Sequence, residues 1–329
     1  MNLFVVGLRR SGTTILYDAL GEDSELRRFY EPLREESETL GGGSGARDED
    51  AFAETRAERL SFRNERFPGL PIELFNWGGP RAPELELEAR LPPHCRELLC
   101  HLAELAPSVA IKETRLHHKL QELTVVDPAA AVVHLVRDPR SVCASMLLGR
   151  RRRTDIYPDA DAFFTTRTAR KLWSSRGISD ELIRCGRAAG LPDDPPDFLR
   201  PLLVWRAATT AASRDGERLF GERYALVRLD DLRRDADVEL ARIYALLDRD
   251  SPSEVRGWAR DNLRREAEVY LGDDPRWGRA ARLLGMEQVL ADTGYGEILE
   301  LDDGKPLDLE PAPPRSRLAG IVDRARRRL

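Results

Sequence analysis

Gly7-Leu8-Arg9-Arg10-Ser11-Gly12-Thr13-Thr14 brings two glycines, two arginines and three hydroxyls into eight consecutive positions. Those residue types in that order suit a bound anion. Gly7 and Gly12 permit turns that a side chain would obstruct. The backbone N–H groups of Ser11 to Thr14 would then converge where a helix begins, at the positive end of its dipole. Two glycines separated by four residues is the spacing of a nucleotide phosphate loop. Thr13, however, occupies the position after the second glycine, where an ATPase or GTPase places a lysine on the β- and γ-phosphates. The cations here come earlier, as Arg9 and Arg10. A plain glycine turn with surface arginines is the alternative reading.

Arg137-Asp138-Pro139-Arg140-Ser141 follows an apolar run and precedes a helical pattern. Pro139 stands where a helix can begin without losing a hydrogen bond. Arg137 lies at the carboxyl end of a strand, the edge on which open α/β sheets bind ligands. Ser145 lies eight residues on, and its hydroxyl can reach a group held by Arg137. An arginine fork beside a hydroxyl suits a phosphate monoester. The alternative is that Arg137 pairs with Asp138 and Ser145 is an ordinary helical serine.

The elements that must position these residues read as an alternating α/β chain. Leu3–Val6, Val109–Ile111, Ala131–Val136 and Tyr224–Leu229 are short apolar strand candidates. Helical patterns cover Thr13–Leu20, Arg96–Ala106, Ser141–Leu148, Phe198–Arg214 and Asp237–Leu247. Buried strands separated by helices predict a parallel sheet covered on both faces, a P-loop-like three-layer sandwich. Gly41–Gly45 reads as a flexible loop, and Leu191–Pro201, with four prolines, as an extended connector. Residues 149–200 read as an insertion on the substrate side. One domain is expected over 1–301, with a Pro/Arg-rich tail over 302–329.

Composition limits the partners. The 329 residues carry 52 Lys+Arg and 57 Asp+Glu, a formal net charge of -5. That balance argues against a protein that coats nucleic acid. It hides an uneven distribution, because residues 136–153 hold six arginines against one aspartate. No apolar run reaches the length of about 18 residues that a membrane span needs. Leu3–Val6 is too short for a signal-peptide core, and the cysteines at 95, 100, 143 and 185 include no CxxC pair. A soluble cytoplasmic protein of bacterial type is the expectation. His94, Cys95, Cys100 and His101 share one helical pattern, but Cys95 and Cys100 do not share a face, so no metal is expected.

Taken together, the motifs resemble the sulfotransferase superfamily that uses 3′-phosphoadenosine 5′-phosphosulfate (PAPS), especially its carbohydrate sulfotransferases and their bacterial relatives. Arg10-Ser11-Gly12-Thr13-Thr14 is similar to that family's 5′-phosphosulfate loop. Val133 to Ser145 is similar to its 3′-phosphate motif. Weaker likenesses follow in family order at Phe29-Tyr30-Glu31-Pro32-Leu33, Ile111 to Leu116, Leu226 to Leu232 and Gly294-Tyr295. Leu229 and Asp230 depart from the family's Tyr-Glu. Residues 35–105 and 149–200 match nothing in the family.

The resemblance implies an enzyme that moves a sulfuryl group from PAPS to a hydroxyl or amine of a sugar, lipid or small natural product. It releases 3′-phosphoadenosine 5′-phosphate and needs no metal. It implies Arg9, Arg10, Ser11, Gly12, Thr13 and Thr14 around the 5′-phosphate, with Arg10 beside the bridging oxygen, and Arg137 and Ser145 on the 3′-phosphate. Glu31 is the favoured base; Glu113, His117 and His118 are rivals. Lys112 touches the sulfate or positions the acceptor. A P-loop kinase or nucleotide hydrolase with Asp230 as its carboxylate is the alternative enzyme. A noncatalytic nucleotide-binding module is the alternative of another class.

Overall fold

The computed structural model describes residues 1–34, 46–75, 83–149, 155–168, 176–188, 190–263 and 269–309. The Gly41–Gly45 run, Arg150–Arg153 and the arginine-rich end at 326–328 lie outside the described residues.

Among the described residues, five strands make one sheet. They are Leu3–Val6 (β1), Arg27–Tyr30 (β2), Val109–Glu113 (β3), Ala131–Val136 (β4) and Tyr224–Arg228 (β5). The order is β2-β3-β1-β4-β5, and every neighbouring pair is parallel. The first half of the chain supplies helices Thr13–Ala19 (α1), Ala46–Arg66 (α2), Pro83–Leu87 (α3), Pro93–Glu104 (α4), Leu120–Val126 (α5), Pro139–Leu148 (α6) and Ala160–Thr165 (α7). Arg176–Arg184 (α8), Leu199–Phe220 (α9), Leu229–Arg234 (α10), Ala236–Ala245 (α11), Ser253–Asn262 (α12), Arg276–Leu283 (α13) and Glu287–Asp292 (α14) follow.

Period-two alternation divides the strand residues between two cores. Leu3, Val5, Val133 and Val227 pack on α1, α11 and α12 through Leu16, Leu240, Ile243 and Val255. Phe4, Val6, Phe29, Ile111 and Val132 pack on α4, α5 and α9 through Leu98, Leu102, Leu123 and Phe220. Each such side chain, fully buried, contributes about 1.5–3 kcal/mol. The sheet is therefore the middle of three layers, as the apolar strands predict. Among the described residues, no helix is long and apolar enough to cross a membrane.

The structure adds β2, which the apolar pattern alone does not reveal, because Arg27 and Arg28 open it. They are tolerable at an edge because their heads find partners. Arg27 pairs with Glu54 and Glu58 of α2, and Arg28 donates to the Tyr17 carbonyl at 2.7 Å. Pro201, expected in an extended connector, instead lies in the first turn of α9, where its missing N–H breaks no helical bond. Beyond residue 301, Leu307 and Leu309 still pack against the core that includes Trp205 and Trp277.

Candidate active site

The chain leaves β1 for the β2-β3 side of the sheet and later returns on the other side to β4 and β5. The carboxyl ends of β1 and β4 therefore flank a switch point in strand order, where doubly wound sheets bind ligands. Every motif of interest lies at this edge. Residues 7–12 follow β1, Glu31 follows β2, Lys112 and Glu113 end β3, Arg137 follows β4, and Asp230 follows β5.

The loop after β1 is shaped by contacts that exclude larger residues. A Cβ on Gly7 would meet the Leu135 carbonyl oxygen at 2.5 Å. Gly12 has φ 98°, and a Cβ there would meet Leu229 Cδ2 at 2.7 Å. Arg10 also adopts a left-handed backbone, φ 74°. Ser11 differs from its expected place. Its N–H and its hydroxyl both donate to the Leu8 carbonyl, at 3.0 and 2.6 Å, which closes the turn. Gly12, Thr13 and Thr14 are left with N–H groups that have no acceptor among the described residues. Arg9 is engaged elsewhere: its guanidinium forms a two-pronged pair with Glu86, a carboxylate with no exposed surface.

Arg10, Arg137 and Ser145 are brought together. Arg10 Nε donates to Ser145 Oγ at 2.8 Å, and Arg137 Nη1 donates to the Arg10 carbonyl at 3.3 Å. Asp138 does not pair with Arg137. It caps α6 by accepting from the Arg140 N–H at 2.7 Å and holds the Arg140 guanidinium at 2.6 Å. Among the described residues, no carboxylate forms an ion pair with Arg137. Burial, with the charges of Arg233 and Arg10, pushes its guanidinium below its ordinary pKa. Trp205 of α9 donates to the Arg137 carbonyl at 3.0 Å, and Tyr295 donates to Asp230 at 2.7 Å beneath the Arg228 guanidinium.

Across the edge, Tyr30 and Lys112 are register partners in neighbouring strands, so their side chains share a face. Lys112 Nζ lies 4.0 Å from the centre of the Tyr30 ring and donates to Glu31 Oε1. Thr114 Oγ1 donates to the same oxygen at 3.3 Å, and Tyr30 reaches the start of α1, after the β1 loop, through a 3.0 Å bond to Thr14 Oγ1. Burial favours the neutral Glu31 acid. The Lys112 ammonium outweighs that effect and, with Arg115 and Arg34, holds the carboxyl down at about 2. Burial likewise opposes the Lys112 charge, but Glu31 overcomes it and raises the ammonium pKa.

The rival bases stand differently. Glu113 accepts from the N–H groups of Leu33 and Thr114, at 3.0 and 2.8 Å, and so fastens the turn after Glu31. Burial and the Glu31 charge push its pKa up. His117 is 1% exposed, and neither ring nitrogen has a hydrogen-bond partner among the described residues. Its burial lowers its pKa well below the ordinary value.

The sequence gives no signal for Glu86, because it lies in the 35–105 stretch that carries no motif. It accepts from Arg9, lies 3.9 Å from Arg115, and its carbonyl accepts from Lys119 Nζ at 2.9 Å. Trp205 was equally silent. Among the described residues, no group of three His, Cys, Asp or Glu side chains could hold a metal ion.

A model of the sulfotransferase family matches residues 2–182, more than half of the chain. The sequence matches no curated protein. Similar solved structures include sulfotransferase STF9 from Mycobacterium avium, at 16% identity over 93% of this chain and 78% of that one, TM-score 0.44. The sulfotransferase domain from the curacin biosynthetic pathway is similar at 17% identity over 98% of this chain and 96% of that one, TM-score 0.44. The sulfotransferase domain from the olefin synthase of Synechococcus PCC 7002 has 15% identity over 88% of this chain and 94% of that one, TM-score 0.42.

Proposed function

Because this chain belongs to the sulfotransferase family, we propose that it moves a sulfuryl group from PAPS to a hydroxyl or amine of a sugar, lipid or small natural product. One observation carries the choice of donor. Arg137 presents a guanidinium without a carboxylate partner among the described residues and bonds to the Arg10 carbonyl, Arg10 in turn bonds to the Ser145 hydroxyl, and the N–H groups of Gly12 to Thr14 have no acceptor among the described residues. Two anion-seeking groups at one strand edge fit a nucleotide with a 3′- and a 5′-phosphate.

In this reading Arg137 and Ser145 hold the 3′-phosphate. The N–H groups of Gly12, Thr13 and Thr14 hold the 5′-phosphate, with Arg10 beside the oxygen that gains charge as the leaving group departs. Arg9 holds the loop down through Glu86. The bound donor supplies the activated sulfuryl group. Glu31 takes the proton of the acceptor O–H or N–H on its carboxylate, and Lys112 holds that carboxylate ionised and in place. Sulfuryl transfer to an alcohol releases one proton, and Glu31 is where it goes. We assign these roles to a domain over 1–301, with 149–200 on the acceptor side.

Calorimetry in EDTA tests the donor. 3′-Phosphoadenosine 5′-phosphate should bind far more tightly than adenosine 5′-phosphate, and Arg137→Ala should remove most of the difference. Equal affinities in the native protein would overturn the assignment. Incubation with labelled PAPS and candidate acceptor extracts then identifies the acceptor.

A further inference from the structure

We propose that Arg59 of α2 is a positioning residue for the base, holding the turn that carries Glu31 through its backbone carbonyls. This deepens the proposed reading of Glu31 as the base and rests on it. α2 comes from the 35–105 stretch, which carries no motif, yet it grips the chain on both sides of Glu31. Thr55 and Arg59 are four residues apart and so share one face of the helix. Thr55 Oγ1 accepts from the Tyr30 N–H at 2.8 Å. Arg59 Nη1 donates to the carbonyls of Pro32 and Arg34, at 3.1 and 2.8 Å. Both side chains belong to fully buried residues.

Glu31 needs such a grip. Its backbone is left-handed, φ 43°, a conformation that a residue with a Cβ adopts only at a cost. Strained residues persist where their surroundings over-determine them. The turn over residues 31–34 is held in that way. The Glu31 N–H donates to the Lys112 carbonyl at 2.7 Å, and the Glu31 carbonyl accepts from the Arg34 N–H at 2.8 Å. Glu113 accepts from the Leu33 N–H, and Arg115 donates to the Leu33 carbonyl at 2.8 Å. Arg59 bridges the other two carbonyls, so one buried guanidinium ties residue 32 to residue 34. Bonds from a charged donor are stronger than neutral ones. Phe52, seven residues earlier on the same face, has its ring centre 5.3 Å from the Arg59 guanidinium and fixes it in turn. Lys112 and Thr114 therefore orient the Glu31 carboxylate, while Arg59 fixes the backbone from which it hangs. The precision of the base then depends on a helix outside the motifs, because a shift of about 1 Å at a reacting group lowers rate steeply.

The experiment follows transfer of label from PAPS into an acceptor extract, with calorimetry of 3′-phosphoadenosine 5′-phosphate binding alongside. The proteins are native, Arg59→Met, Thr55→Val, Glu31→Gln, and each of the first two changes combined with Glu31→Gln. Arg59→Met keeps an apolar stem and loses the donors. Thr55→Val keeps the side-chain shape and loses the hydroxyl, and it carries the test by itself if Arg59→Met does not fold. Each single change on α2 should lower kcat about tenfold or more, with KM for PAPS and nucleotide affinity within about threefold of native. In the Glu31→Gln background neither should lower kcat further, because no base is left to misplace. Native kcat in the folded α2 variants overturns the inference, and so do losses that multiply with that of Glu31→Gln; both results leave Glu31 as the base. Full turnover in Glu31→Gln alone would instead overturn the assignment of the base itself.

Discussion

Lys112, near the end of β3, donates a hydrogen bond to the carboxylate of Glu31, the first residue after β2. The Lys112 side chain is 1% exposed and that of Glu31 16%. The carboxylate proposed as the base is therefore ionised and paired with Lys112. Glu31→Gln should keep affinity for 3′-phosphoadenosine 5′-phosphate within about threefold, since Glu31 touches no proposed phosphate ligand, and should lower turnover by about 10² or more. Full turnover in this variant would move the base to another residue.

The same pair sets a pH dependence. Glu31 has its native pKa at about 2, below its ordinary value of 4.5. Its stabilising contribution is complete above about 4.5 and is lost as pH falls toward 2. Urea denaturation should show the stability gap between native protein and Glu31→Gln narrowing across that window. A gap that stays constant from pH 5 to pH 3 would contradict the pairing.

Buried imidazole adds a second acid-sensitive group. His134 lies within the sheet, bonded to the Tyr224 hydroxyl at 2.9 Å, and burial lowers its pKa to about 4. The unfolded chain takes up this proton at about 6.5 and the native state only near 4, so stability is complete above 6.5 and falls toward 4. His134→Gln should lose less stability than the native protein when the pH is lowered from 6.5 to 4.

The two loop glycines fail for different reasons. Gly7→Ala drives a methyl group into the Leu135 carbonyl, 2.5 Å away, so the backbone of β4 or the loop must move. Gly12→Ala adds left-handed strain of about 1–2 kcal/mol to a clash with the flexible Leu229 side chain. Thermal melts should show both destabilised, and Gly7→Ala should show the greater loss of nucleotide affinity. Native-like binding by Gly7→Ala would contradict the described loop.

Tyr30 joins the start of α1, after the β1 loop, to the Lys112–Glu31 pair, and its two links can be separated. Tyr30→Phe removes the bond to Thr14 and keeps the ring under Lys112, at a loss of about 0.5–1.5 kcal/mol. Tyr30→Leu removes both. Turnover should fall further in Tyr30→Leu than in Tyr30→Phe, with nucleotide affinity similar in the two. Equal turnover would show that the ring does not position Lys112.

What the sequence determined by itself is whatever short stretches of chain encode. The glycine spacing of residues 7–12 specifies a turn because backbone sterics act over a few residues. Pro139 marks the start of α6, and the apolar runs mark four of the five strands found among the described residues. Placement at strand ends then follows, since a strand and its next loop are contiguous. β2 escaped because its arginines hide the apolar signal, and it is partners distant in sequence, among them α2 and Tyr17, that make them acceptable at an edge. The partnerships of the site were decided by the tertiary structure alone. Arg9 meets Glu86 across 77 residues, Glu31 meets Lys112 across 81, and Arg10 meets Ser145 across 135. Nothing local selects those partners. They meet because the parallel sheet returns every strand in the same direction and collects the loops that follow at one edge. There burial decides which arginine is left for a ligand: Glu86 takes Arg9 and Asp138 takes Arg140, while Arg137 is left without a carboxylate among the described residues.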